Sequence, residues 1–170
     1  MTPEQKKYLY VQSPIGSAIV NALINGLLGY GATIGLAEFP AWKIPGVAGD
    51  FLATAFGVAF GTTLGAILQI KLDSAKGRIS PPSFDEGLPA RAARTPKGWF
   101  ARSMLIGLFG LLAFGPSAVL ALKISGAEAL PRGTFVLWKA VLSAVEGAVV
   151  TPFILLATLA HYRAAPKPVV

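Results

Sequence analysis

The chain has 170 residues, 54% of them hydrophobic, with a mean hydropathy of +0.61 and only 14% charged residues. Soluble domains carry about 25% charged residues, so composition points away from water and towards a membrane. The absence of cysteine excludes disulfides, thiolate metal sites, c-type haem attachment and cysteine nucleophiles. The net charge of +7 lies between the apolar stretches, where it suits a membrane surface and not nucleic acid.

Lys6 and Lys7 precede the first uncharged stretch, Ser13–Ala37. A secretory signal has an apolar core of about 7–15 residues. This stretch is longer, contains Asn21 and Asn25 and lacks a small-x-small cleavage site after it, so it reads as a retained helix. Phe51–Ile70, Ser103–Leu122 and Ala140–Ala160 follow, and Glu146 is the single charged residue among all four. About 20 residues at ~1.5 Å each cross a hydrocarbon core ~30 Å thick. The expected fold is all-α: a polytopic membrane protein, a four-transmembrane-helix bundle forming one membrane domain over 1–170. Its spans are about 13–37, 51–70, 103–122 and 134–162, with a cytoplasmic loop at 71–102.

The connecting segments carry the charge. Glu38–Asp50 and Lys123–Lys139 are rich in Pro and Gly and too short for a domain, with part of Ser125–Leu130 able to extend a helix. Glu38 and Asp50 bracket the first segment and could meet as a cation site. In the middle loop Pro81, Pro82, Pro89 and Pro96 argue against a continuous helix, and Asp85 and Glu86 read as solvated. Arg91, Arg94, Lys97 and Arg102 cluster before the third span, suited to lipid headgroups or a docking partner.

Eleven Lys and Arg residues fall in the termini and the middle loop, against Lys43, Lys123, Arg132 and Lys139 in the other two loops. The positive-inside rule therefore puts both termini in the cytoplasm of a bacterial-type inner (plasma) membrane. Tyr8, Tyr10, Trp42, Trp99, Phe100, Trp138 and Tyr162 fall at span ends, as interfacial anchors do.

Within the spans, small residues recur at four-residue steps. The second span has Ala53, Gly57, Gly61 and Gly65; the first has Ser17, Asn21, Asn25, Gly29 and Thr33; the third has Ser103 and Gly107, then Gly110 three residues on. Apolar helices gain no hydrophobic energy from meeting in lipid, so such stripes read as faces for close backbone approach, first within the chain and, where one is spare, towards another subunit. Gly26-Leu27-Leu28-Gly29 resembles Gly107-Leu108-Phe109-Gly110, and Gly57 overlays Gly147, which would make a parallel repeat. Gly, Ala and Leu are common in such helices, so these matches carry no homology by themselves. Pro116 and Pro152 free the carbonyls of Leu112 and Ala148, with Ser117 and Thr151 beside them as hydrogen-bond donors.

Glu146 is the residue most in need of explanation. A carboxylate at the bilayer centre costs about 2.5–3.5 kcal/mol on insertion scales, and intramembrane ionisable residues are functional by default. Lys139 is two turns away, about 10 Å along the helix, too far to pair. The expected site joins Glu146 to Asn25 and Asn21, with Ser143 or Thr151, either binding a proton, cation or cationic group or clamping the helices together. His161, the single histidine, reads as interfacial, with axial ligation of a pigment or haem as the minor alternative. No HExxH, GxSxG or P-loop occurs, and no metal site or cofactor is expected. The expected function is a non-enzymatic accessory subunit or assembly factor of a larger membrane complex, in contact with membrane lipid and with other subunits or itself. The alternative is a small oligomeric channel or transporter.

Overall fold

A computed structural model describes residues 1–75 and 87–161. Expectations resting on Lys76, Arg78, Pro81, Pro82, Asp85, Glu86, Tyr162, Arg163 and Lys167 lie outside the described residues.

A bilayer offers the peptide group no water, so each uncharged run bonds its own N–H and C=O groups as a helix. The first rod is built from α1 (Pro3–Lys7), a π-helical turn (Tyr8–Gln12) and α2 (Ser13–Ala32). Thr2 opens it with a reciprocal cap: its hydroxyl accepts from the Gln5 N–H, and the Gln5 side chain accepts from the Thr2 N–H. The rod stops at Ala32, short of the end of the uncharged run, where Gly35 takes a φ of +81° that a side chain would resist. There follow β1 (Glu38–Pro40), α3 (Val47–Ala75), α4 (Gly87–Ala93), α5 (Trp99–Ile124), β2 (Ala129–Pro131) and α6 (Arg132–His161). Pro3–Ala32, Val47–Asp73, Trp99–Ile124 and Arg132–His161 are each long and apolar enough to cross a membrane. The molecule is thus an integral, multi-pass membrane protein: an all-α bundle with one small ribbon.

That ribbon departs from expectation. Gly126, at φ +68°, turns the chain out of α5, so Ser125–Leu130 does not extend a helix. Instead β2 pairs antiparallel with β1, setting Glu38 opposite Pro131, Phe39 opposite Leu130 and Pro40 opposite Ala129. Ala41 N–H to Glu128 O (2.8 Å) and Arg132 N–H to Ala37 O (3.0 Å) continue the pairing. The two short connections thereby hold each other across one end of the bundle, here the sheet end. The opposite end is the termini end.

Across the bundle the long helices run α2, α6, α3, α5. The largest contacts are α2 with α6 and α3 with α5, then α3 with α6, whereas α2 barely meets α3 and α5 barely meets α6. Within each half, therefore, the two long helices joined by a short connection do not pack on each other. Exchanging the first half (α2, β1, α3) with the second (α5, β2, α6) maps this arrangement onto itself, antiparallel ribbon included. The matched glycines do not share roles, however. Gly147 packs on Asn21 and Ser17, while a side chain at Gly57 would meet nothing.

Two apolar clusters anchor the ends. Phe39, Val47, Phe51, Leu122, Leu130 and Phe135 fill the sheet end, with the Phe39 and Phe135 rings 4.8 Å apart. Leu9, Ile70, Ala92, Ile154, Leu155 and Leu159 fill the termini end, where Ala92 seats α4 on α6. Ile15, Ile19, Leu23 and Leu27 of α2 are exposed, as a lipid-facing surface requires. Trp42, Trp99 and Phe100 are exposed at span ends, whereas Trp138 stacks on Phe51 at 6.5 Å.

Candidate functional site

Because α2 and α3 lean on α6 and not on each other, a groove of about 810 Å³ is left between them. Gly57, Gly61 and Gly65 form its α3 wall, and Thr151 and Leu155 of α6 contribute to its floor. A Cβ at any of the three glycines would meet no atom within 4 Å. The close intrachain packing expected of this stripe is not made. The other glycines do pack: a Cβ at Gly29 would lie 3.1 Å from Lys139 Cδ, one at Gly107 2.8 Å from Phe56, and one at Gly110 2.6 Å from Ala59.

Polar side chains mark the groove along its length. At mid-depth Asn21 Nδ2 donates to Ser17 O (2.9 Å), Ser17 Oγ (3.1 Å) and Thr62 Oγ1 (3.2 Å). Ser17 Oγ reaches Gly147 O at 3.2 Å, and Asn25 Nδ2 donates to Asn21 O at 3.1 Å. At the termini end Tyr8 donates to Asp73 (2.5 Å) and accepts from Gln69 (3.0 Å), which also donates to Ser13 (3.2 Å). At the sheet end Lys139 Nζ binds both oxygens of Asp50, at 2.7 and 2.8 Å.

That ion pair is the feature sequence reasoning missed. Asp50, placed by the sequence where it could meet Glu38, turns instead to Lys139, which is 5% exposed and lies beside Gly29. The signal was present, since opposite charges open α3 and α6 at one depth. Burial of the lysine makes the pair more consequential than a surface bridge: without Asp50 its charge would be stranded in apolar surroundings.

Glu146 does not join the asparagines. Its side chain leaves α6 on the far side, against Gly110 of α5, and lines a separate crevice of about 230 Å³ with Phe51, Thr54, Ala55, Phe114, Ser117, Ala118, Leu142 and Val145. The expected assembly therefore divides. Asn21, Asn25 and Thr151 line the groove; Glu146 lines the crevice; Ser143 is buried and bonded to Lys139 O at 2.7 Å. The reason is angular: helix steps of 100° carry residues 146 and 147 to different neighbours, so Gly147 faces Asn21 while Glu146 faces Gly110.

The hydroxyls beside the helix prolines bond one residue away from the freed carbonyls. Ser117 Oγ donates to Ala113 O at 3.4 Å, and Thr151 Oγ1 to Gly147 O at 2.5 Å. At the termini end Arg91, Arg94 and Lys97 are exposed. Arg102 is not: it is 4% exposed and curls back towards the carbonyls of Pro96 and Lys97, so it does not reach headgroups as expected. His161 Nε2 lies 2.8 Å from Thr95 O. A ring nitrogen facing a carbonyl oxygen must carry the proton, so Nε2 has no lone pair for a metal. Among the described residues no three His, Asp or Glu side chains gather as metal ligands.

Neither a protein family, nor a curated protein, nor a solved structure matches this chain.

Proposed function

We propose that this chain is a non-enzymatic subunit or assembly factor of a larger membrane complex, and that its α2–α3 groove seats a transmembrane helix of a partner. The observation that carries this reading is the bare glycine face. Gly57, Gly61 and Gly65 stand at four-residue spacing on a membrane helix, and a Cβ at any of them would meet no other part of the described chain within 4 Å. In lipid, close backbone approach is what holds helices together. Asn25 and Thr62 add polar groups at mid-depth for the incoming helix. Both termini and α4 belong on the cytoplasmic side of a bacterial-type inner membrane, as the eleven-to-four division of Lys and Arg favours. There Arg91, Arg94 and Lys97 meet anionic headgroups or the partner.

A second reading rests on the polar ladder itself. Gln69, Ser17, Asn21, Thr62, Asn25 and Thr54 run from one end of the groove to the other. A small polar solute could follow them once a second subunit closed the open side.

Gly61→Leu separates the outcomes. Nothing lies within 4 Å of the new Cβ, so the monomer should fold unchanged while the groove is filled. Native mass measurement after gentle extraction should show wild type with an unrelated membrane subunit and the variant without it. A variant that keeps its partner refutes the seating. A homo-oligomer that moves solute in liposomes, and stops when residue 61 is Leu, supports the second reading.

A further inference from the structure

The α5–α6 crevice lies on the other side of the α3–α6 pair and shares only Thr54 with the groove. It owes nothing to the partner-helix reading. Glu146 sits near the middle of α6, about 21 Å from either helix end. The residue is 3% exposed, and its Oε1 has no hydrogen-bond partner. Space for the carboxyl exists only because residue 110 is glycine: a Cβ there would stand 2.7 Å from Oε1.

The crevice walls leave this oxygen unsatisfied. Thr54 directs its hydroxyl to Asp50 (3.4 Å) and Ser117 to Ala113 O (3.4 Å). The remaining lining residues bring no side-chain donor, and none of them is titratable. Asp50, one turn before Thr54 on α3, and Lys139, two turns before Glu146 on α6, are paired with each other. A buried acceptor without a donor is costly, and here the donor must come from outside. Access is sideways: Val145 and Ser117 on the rim are exposed where the bundle faces hydrocarbon. An apolar cavity of about 150 Å³ takes up benzene, so 230 Å³ has room for one aromatic ring with a short tail. Phe51, Phe114 and Leu142 supply apolar walls for it.

We propose that this crevice is a binding site for a lipid-soluble primary amine, whose nitrogen pairs with the Glu146 carboxyl and whose apolar body rests on Phe51, Phe114 and Leu142. The amine arrives neutral through the hydrocarbon. Its nitrogen lone pair takes the carboxyl proton, so an N–H bond forms as the O–H bond breaks. The product is an ammonium–carboxylate pair with no net charge brought into the membrane. A neutral alcohol of the same shape can donate a hydrogen bond but cannot take the proton, so it binds less well.

The test uses the full chain in phosphatidylcholine vesicles and dicyclohexylcarbodiimide, a lipid-soluble reagent that modifies protonated carboxyls within membranes. Label should map to Glu146 and vanish in Glu146→Gln. Saturating phenethylamine should slow consumption of the free Glu146 carboxyl, read by peptide mass as acylurea and amide products together, at least tenfold, while 2-phenylethanol at the same membrane concentration should slow it less than twofold. Ser117→Trp, which narrows the rim that reagent and amine both pass, should slow labelling of Glu146 with or without the amine. Failure of the reagent to reach Glu146, equal protection by alcohol and amine, or no protection by either overturns the proposal. The competition is read on the wild-type chain, so it stands even if a variant folds poorly.

Discussion

Replacing Gly110 by alanine tests the packing of α5 on α3 with the smallest possible perturbation. The new Cβ would lie 2.6 Å from Ala59 Cβ and 2.7 Å from Ala55 O, whereas ordinary contact begins at 3.4 Å. These two are fixed obstacles, whereas the Glu146 carboxyl, 2.7 Å from the same Cβ, is the free end of a side chain and can turn aside. The helices must therefore part by about 0.8 Å, the difference between 3.4 and 2.6. Overpacking of this kind costs about 1–3 kcal/mol. Alanine also gains about 1 kcal/mol over glycine in a helix interior, which confuses any single variant. Gly61→Ala removes that confusion, since it earns the same intrinsic gain and has no atom within 4 Å. The stability difference between the two variants should then equal the clash alone, about 1–3 kcal/mol, a factor of roughly 5 to 150 in the folding equilibrium. Reversible unfolding of each in mixed micelles, from dodecylmaltoside into dodecylsulfate, measures it. If Gly110→Ala is as stable as Gly61→Ala, then α3 and α5 do not approach as described.

Two further outcomes follow from the sheet end. Asp50→Asn should cost about 3–5 kcal/mol in the same assay by stranding the buried Lys139, and the double change with Lys139→Met should recover most of it; a double variant no better than the single would show that charge pairing is not what Asp50 supplies. Glu38→Cys with Pro131→Cys, two exposed and directly opposed ribbon positions in a chain without other cysteines, should form a disulfide under mild oxidation. A lack of crosslinking there would break the β1–β2 register.

The spans were legible because their cause is local. A run such as Phe51–Ile70 must be a helix in lipid whatever surrounds it. The ribbon was not legible, because three-residue strands at Glu38–Pro40 and Ala129–Pro131 carry no periodicity and exist only by meeting each other. Of the candidate site, the unusual residues stood out and their grouping did not. Asn21 and Glu146 were both conspicuous in an apolar chain, yet one faces the groove and the other the crevice. Arg102 looked like its exposed neighbours Arg91 and Arg94 until its burial was known.

The sequence alone determined that this protein crosses a membrane, how often, and which few polar residues its helices carry inside, since each follows from transfer energies summed along one segment. Tertiary structure decided which helices meet. That α6 receives α2 and α3 receives α5 depends on surfaces far apart in the chain, and no segment contains that information. It also decided which of two glycine faces is used. Gly107 and Gly110 are closed against α3, while Gly57, Gly61 and Gly65 remain open, a difference set by helix rotation within the bundle and not by the glycines themselves.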